Sequence, residues 1–116
     1  MEAGSVIEAL AALAHPTRLA VFRQLVVAGP GGVAAGDLST MTATPASTLS
    51  AHLAKLEAAG LVASRRASRH IFYAVRFDAM RGLLSFLIED CCQGRPDLCG
   101  DAVRTSRVCK GETIDG

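Results

Sequence analysis

The sequence predicts a mainly α-helical domain with one small β-hairpin. Half of its 116 residues are hydrophobic, many of them alanine, and it has no tryptophan and one tyrosine. Such side chains favour close-packed helices over a sandwich of sheets. This length suits one domain with its own core and is short for two. The placement of proline and glycine then divides the chain into helices and a hairpin.

A proline separates the first two helices. Apolar residues at helical spacing run from Val6 to Ala14, and Pro16 ends this helix because it disfavours helical backbone at His15. Pro16 also suits the first turn of a second helix, which residues 29–32 (GPGG) terminate.

The next two helices are closely connected. A third is predicted over residues 34–41, with Met41 among its inward-facing side chains. For the fourth, Thr44 is the predicted N-cap, Pro45 the first helical residue and Gly60 the terminator. Its apolar stripe consists of Leu49, Leu53 and Leu56.

A basic hairpin follows. Two strand-like runs, residues 61–64 and 71–75, flank a segment that places Arg65, Arg66 and Arg69 at the predicted tip. No Asp or Glu occurs between positions 58 and 77, so this segment is locally cationic although the net charge is only +1.

The last helix is long and amphipathic. Apolar residues recur at spacings of three and four from Phe77 to Cys91, and Gly94 and Pro96 end the pattern. We therefore predict a folded domain over residues 1–92 and a cysteine-containing tail over residues 93–116.

Helix, tight connection, helix and hairpin is the order of a winged helix-turn-helix, whose second helix enters the major groove of double-stranded DNA. Opposite its leucines, that helix carries Ser47, Thr48 and Ser50, whose hydroxyls suit bases or phosphates. His52 lies at the margin and is either a phosphate contact or a half-buried packing residue. The hairpin arginines would make binding strongly salt dependent.

These residues resemble a known family. The stretch STLSAHLAKLEAAGLV, from Ser47 to Val62, and the following RRASRHIFYAV resemble the recognition helix and wing of ArsR/SmtB-type repressors. HPTRLAVFRQL, from His15 to Leu25, resembles their second helix, and the similarity covers about residues 5–92. One departure is Ser68, where a glycine is usual. The resemblance implies a homodimer formed by the first and last helices, a palindromic operator, and derepression by a metal or metalloid.

The four cysteines all follow position 90. A helical chain with no apolar leader and no run long enough to span a bilayer is expected in the cytoplasm, not in a membrane, with its thiols reduced. The thiols are therefore candidate ligands. Cys91 and Cys92 close the last helix, and Cys99 can fold back beside them if the helix end unwinds at Gly94.

Thiolates select soft or borderline ions. As(III) and Sb(III) take three sulfurs in a pyramid, which Cys91, Cys92 and Cys99 match. Zn(II) prefers four ligands, and Cys109 or a histidine could complete such a site. We expect As(III) or Sb(III), with Zn, Cd or Pb sensing and thiol redox sensing as alternatives.

Within the family, the Cys-Val-Cys cluster of many arsenite repressors is missing from the third helix, and the Asp/His pattern of the zinc sensors is missing from the last. What remains resembles the arsenite-responsive subset whose vicinal cysteines end the last helix. A small thiol reductase is a further alternative. It is disfavoured because a helix C-terminus does not stabilise the reactive thiolate of Cys91 or Cys92. No enzymatic activity is therefore expected.

Overall fold

The computed structural model describes residues 2–91, without the side chains of residues 89–91. The chain divides into two compact units, Glu2–Phe77 and the part from Asp78 onward. The first unit contains, in order, α1 (Ala3–Leu13), α2 (Pro16–Ala28), β1 (Val33–Ala34), α3 (Ala35–Met41), α4 (Ala46–Ala58), β2 (Val62–Ala67) and β3 (His70–Val75). Next come α5 (Phe77–Ser85) and a π-helical segment, Phe86–Cys91.

The predicted break between the first two helices is confirmed, and a side chain reinforces it. His15 adopts an extended conformation as the N-cap of α2, and its Nδ1 accepts a hydrogen bond of 3.1 Å from the Thr17 amide. Pro16 occupies the first helical position, where no amide donor is needed. The chain therefore turns from α1 into α2 within two residues.

Two expectations about α3 and α4 are wrong. Met41 is 49% exposed, because α3 is only seven residues long and Leu38, fully buried, is its inward-facing residue. Thr44 does not cap α4. Its hydroxyl donates to the carbonyl of Thr42 within the turn, and Pro45 is the N-cap, so the helix starts one residue later than predicted. Gly60 follows the last turn with φ +80°, as the predicted terminator requires.

The predicted hairpin is part of a three-stranded antiparallel sheet with strand order β1-β3-β2. The short β1 pairs Val33 with Tyr73. Its approach depends on Gly32, where a Cβ would lie 2.5 Å from the carbonyl oxygen of Tyr73. A residue with any side chain would collide there, which makes Gly32 a requirement of the third strand.

The hairpin turn is tighter than predicted. Ala67 pairs with His70, so only Ser68 and Arg69 form the loop. The prediction that Arg65 and Arg66 lie at the tip is wrong, since both lie within β2 and only Arg69 is in the turn. The polar run that suggested a loop is instead a strand paired along its whole length.

The core of the first unit is aliphatic. Its fully buried side chains come from α2, α3, α4 and the start of β2, and comprise Val21, Leu25, Leu38, Leu49, Leu53, Leu56, Leu61 and Val62. Each leucine buried in this way contributes about 1.5–3 kcal/mol to folding. The three predicted leucines of α4 are among them, which leaves the opposite face of that helix in solvent.

The predicted last helix is confirmed as α5, but its final turns widen into the π-helical segment. The expected boundary between residues 92 and 93 lies outside the described residues and stays a prediction. No single helix in the described part has the length and apolar character of a membrane span. Only α1 and α2 taken together reach them, across a bend of 103°.

Candidate nucleic-acid interface

The connection between α3 and α4 is held by hydrogen bonds on both sides. The Thr44 amide donates to the carbonyl of Ser39, and the Ser39 hydroxyl donates to the carbonyl of Thr44. Thr44 is buried, and Ala43 adopts φ +52°, a left-handed conformation. This tight turn fixes the direction in which α4 leaves α3.

The outward face of α4 carries the predicted DNA-contacting hydroxyls. Ser47, Thr48 and Ser50 are all exposed, while Leu49 and Leu53 between and beyond them are buried. Short hydroxyls let the helix backbone approach a groove closely and can bond to bases or phosphates. The arrangement is that of a recognition helix, with its small polar face free.

His52 has the half-buried position that the sequence left open. Its ring stacks against His15 at 4.6 Å between centroids, and its Nδ1 lies 3.2 Å from Nη1 of Arg18. Partial burial lowers the pKa of His52, and His15, Arg18 and Lys55 add to the effect in that order. A phosphate contact through the other ring nitrogen stays a prediction.

The wing arginines fall into two groups. The guanidinium of Arg65 donates a 2.9 Å hydrogen bond to the carbonyl of Gly31, and its Cζ lies 4.8 Å from the centre of the Phe72 ring. Arg66 points to the other face of the strand, and Arg69 lies in the turn; both are exposed. The wing therefore presents Arg66 and Arg69 as its free charges, and Arg65 as a charge already engaged.

The predicted ion site lies beyond the described side chains. Cys91 is the last residue of the π-helical segment, and Cys92, Cys99 and Cys109 lie outside the described residues. Within the described part, no three His, Cys, Asp or Glu side chains converge as a metal site would require. The three-cysteine site stays a prediction.

Sequence reasoning missed Arg18, which links three helices. Its Nε donates to the carbonyl of Ala12 at 2.6 Å, and its Nη1 reaches His52. With Lys55 and Glu8 it also lines a groove of about 510 Å³ among α1, α2 and α4. The only signal was the run His15 to Arg18, which was interpreted as a helix break.

Comparison with known proteins agrees with this geometry. Residues 13–65 match the family described as Helix-turn-helix domain. The HTH-type transcriptional regulator YgaV of Escherichia coli is 34% identical over 83 residues, which cover 72% of this chain and 82% of YgaV.

Two solved structures extend the agreement to the fold. One is the homodimeric winged helix-turn-helix DNA-binding domain of Mb0332 from Mycobacterium bovis, described as a possible ArsR-family transcriptional regulator. It is 30% identical with a TM-score of 0.59, over 69% of this chain and 72% of that one. The other is described as a possible transcriptional regulator for arsenical resistance. It is 28% identical with a TM-score of 0.59, over 66% of this chain and 76% of that one.

The exposed hydroxyl face of α4, the basic wing and these similarities all indicate DNA binding rather than catalysis. The chain belongs to the ArsR family of winged-helix transcriptional regulators.

Proposed function

We propose that this regulator is a repressor that binds operator DNA as a homodimer and is released when As(III) or Sb(III) binds Cys91, Cys92 and Cys99. The observation that carries the proposal is the position of these thiols. Three of the four cysteines fall within nine residues that begin where the last helix ends. A similar solved structure is described as a possible regulator for arsenical resistance, which supports the same inducer class.

The chemistry of the site requires no redox partner. Three thiols replace the three hydroxyl groups of arsenous acid, three As–S bonds form, and three water molecules leave. Arsenic stays in the trivalent state. Three soft ligands meet the preference of As(III), whereas Zn(II) in a structural site takes four. Reduced thiols and work on DNA are both consistent with the cytoplasmic location expected from the sequence.

Release requires that the ion and the operator favour different arrangements of the dimer. In the resemblance stated above, the first and last helices form the dimer, so an ion at the end of the last helix would change the spacing of the two recognition helices. A palindromic operator needs that spacing to be about 34 Å. Coupling of this kind is typically 1–3 kcal/mol, or about 5- to 150-fold in affinity, and it is reciprocal.

The direct test is a fluorescence anisotropy titration of the full chain on a labelled fragment of its own promoter. Samples are kept reduced and titrated with As(III), Sb(III), Zn(II), Cd(II) and Pb(II). We expect As(III) and Sb(III) to weaken operator binding at least fivefold. A chromogenic thiol reagent should find three fewer reactive thiols per chain after As(III) is added.

Serine variants identify the ligands. Cys91→Ser, Cys92→Ser and Cys99→Ser should each keep operator affinity and lose the As(III) response, while Cys109→Ser is the matched control and should keep both. Release by Zn(II), Cd(II) or Pb(II) alone would replace the metalloid with the alternative ion. Release only after oxidation would indicate redox sensing. Operator affinity unchanged by every ion and by oxidation would reject inducer control by these thiols.

A further inference from the structure

A single side chain joins the end of α1 to the recognition helix. Arg18 lies in the first turn of α2. Its Nε donates to the carbonyl of Ala12 in the last turn of α1, at 2.6 Å, and its Nη1 lies 3.2 Å from Nδ1 of His52 on α4. The guanidinium is planar and rigid, so two contacts from one group hold their partners at a defined separation. The position of α4 relative to α1 is thereby tied to Arg18.

This contact requires an uncharged His52. Arginine stays protonated and can only donate, so Nδ1 of His52 must be the acceptor and the ring proton must sit on Nε2. A proton on Nδ1 removes the acceptor and places a second positive charge beside the guanidinium. The neighbouring His15 likewise uses Nδ1 as an acceptor, from the Thr17 amide.

The surroundings of His52 also favour the neutral ring. Partial burial lowers the pKa of His52, and the positive groups around it act in the same direction: His15 and Arg18 from the α2 side, and Lys55 from its own helix. The acidic group that α1 contributes nearby is Glu8, which lines the same groove as Arg18 and Lys55. The net effect is a ring that loses its contact when it gains a proton.

We propose that Arg18 is a positioning residue for DNA binding, which holds the recognition helix in place through neutral His52, and that protonation of His52 releases this hold. His52 lies on the same helix as Ser47, Thr48 and Ser50, so a tilt of α4 displaces all three hydroxyls together. Because base contacts depend on geometry and phosphate contacts less so, the effect falls on sequence-specific binding. The proposal rests on DNA binding by this family and is independent of the inducer.

A direct phosphate contact by His52 would have the opposite sign. In that arrangement protonation adds a positive charge at the DNA backbone, and affinity rises as the pH falls, for specific and random DNA alike. In the positioning role, specific affinity falls with pH. The pH profile therefore separates the two roles of the same residue.

The experiment measures binding of the full chain, without any metalloid, to its promoter fragment and to a random fragment of equal length. Fluorescence anisotropy is recorded from pH 8 to pH 5.5 at constant ionic strength. His52→Asn is the central variant, because its side-chain oxygen can accept from Arg18 but does not titrate. Each protein is also made with His15→Asn, which keeps an N-cap acceptor on α2 and removes the second imidazole.

We expect the ratio of specific to random affinity to fall about tenfold towards pH 5.5 in the parent protein, about the effect of one hydrogen bond to a charged group. His52→Asn should keep the neutral-pH ratio and flatten the profile. His52→Ala and Arg18→Gln should lower the ratio by about the same factor at every pH. Circular dichroism checks that each variant is folded.

Two results would overturn the proposal. One is an affinity of the parent protein that rises towards acid pH and becomes flat in His52→Asn, which would assign His52 to a phosphate. The other is a folded Arg18→Gln protein with an unchanged specificity ratio. If Arg18→Gln does not fold, the comparison of the parent with His52→Asn decides the question alone.

Discussion

Arg65 and Phe72 face each other across the β2–β3 ladder, with the guanidinium carbon 4.8 Å from the ring centre. The same guanidinium bonds to the carbonyl of Gly31, in the loop that precedes β1. One arginine thus clamps the wing to the loop that carries the third strand. A residue that looks like a DNA contact in the sequence has a structural role in the free protein.

Replacing Arg65 should therefore cost stability. We expect Arg65→Gln to lower the free energy of unfolding by about 1 kcal/mol, since an exposed cation–π contact and a surface hydrogen bond are each worth about that or less. Urea denaturation measures the change. Arg66→Gln is the matched control on the neighbouring position and should leave stability within about 0.5 kcal/mol. Equal losses in both variants would contradict the clamp.

Replacing Arg66 or Arg69 should affect DNA binding instead. Both side chains are exposed, and each one that neutralises a phosphate releases counterions from the duplex. Each change to Gln should reduce the slope of log affinity against log salt by about 0.9 and weaken binding to all sequences alike. Anisotropy titrations at several salt concentrations measure the slope. An unchanged slope would remove that arginine from the interface.

Gly32 should not tolerate a side chain. A Cβ there would meet the backbone of Tyr73 at 2.5 Å, and the position has φ +80°. We expect Gly32→Ala to destabilise the protein by about 2 kcal/mol or more, from the clash and the left-handed backbone together. Gly31→Ala is the control, since a Cβ at that position meets nothing within 4 Å. Thermal unfolding of the two variants compares them; similar melting temperatures would be the contradictory result.

Ser68 offers a change in the opposite direction. It adopts φ +61° at the first position of the two-residue turn, and Arg69 does not share the positive φ. This is the pattern of a type II′ turn, which favours glycine at its first position. Ser68→Gly should raise the free energy of unfolding by up to about 1 kcal/mol. Ser68→Ala keeps the strain and should bring no gain; stabilisation by both would show that relief of backbone strain is not the cause.

Prediction from sequence succeeded where one residue type dictates the backbone. Pro16 ended one helix and began another, Gly60 ended α4, and the spacing of the leucines identified its buried face. These features are local, and each depends on the properties of one residue or on a simple period.

It failed where partners are distant in the chain. The strand β1 has only two residues and exists because Val33 meets Tyr73, forty positions away. The contact of Arg18 with His52 spans 34 positions. Neither leaves a periodic signal. Arg65 and Arg66 were assigned to a loop because they are polar, whereas pairing with β3 places them in a strand. The hydroxyl face of α4 was predicted because exposure follows directly from the helical period.

The strand order β1-β3-β2 has a consequence for solubility, because it leaves β2 as an outer strand of the sheet, with its outward backbone groups open to another chain. Adjacent positive charges at Arg65 and Arg66 repel a second copy of the same strand, and the tight turn at Ser68 keeps the strand short. The charge that attracts a duplex therefore also discourages one wing from adding to another, which guards the protein against edge-to-edge aggregation.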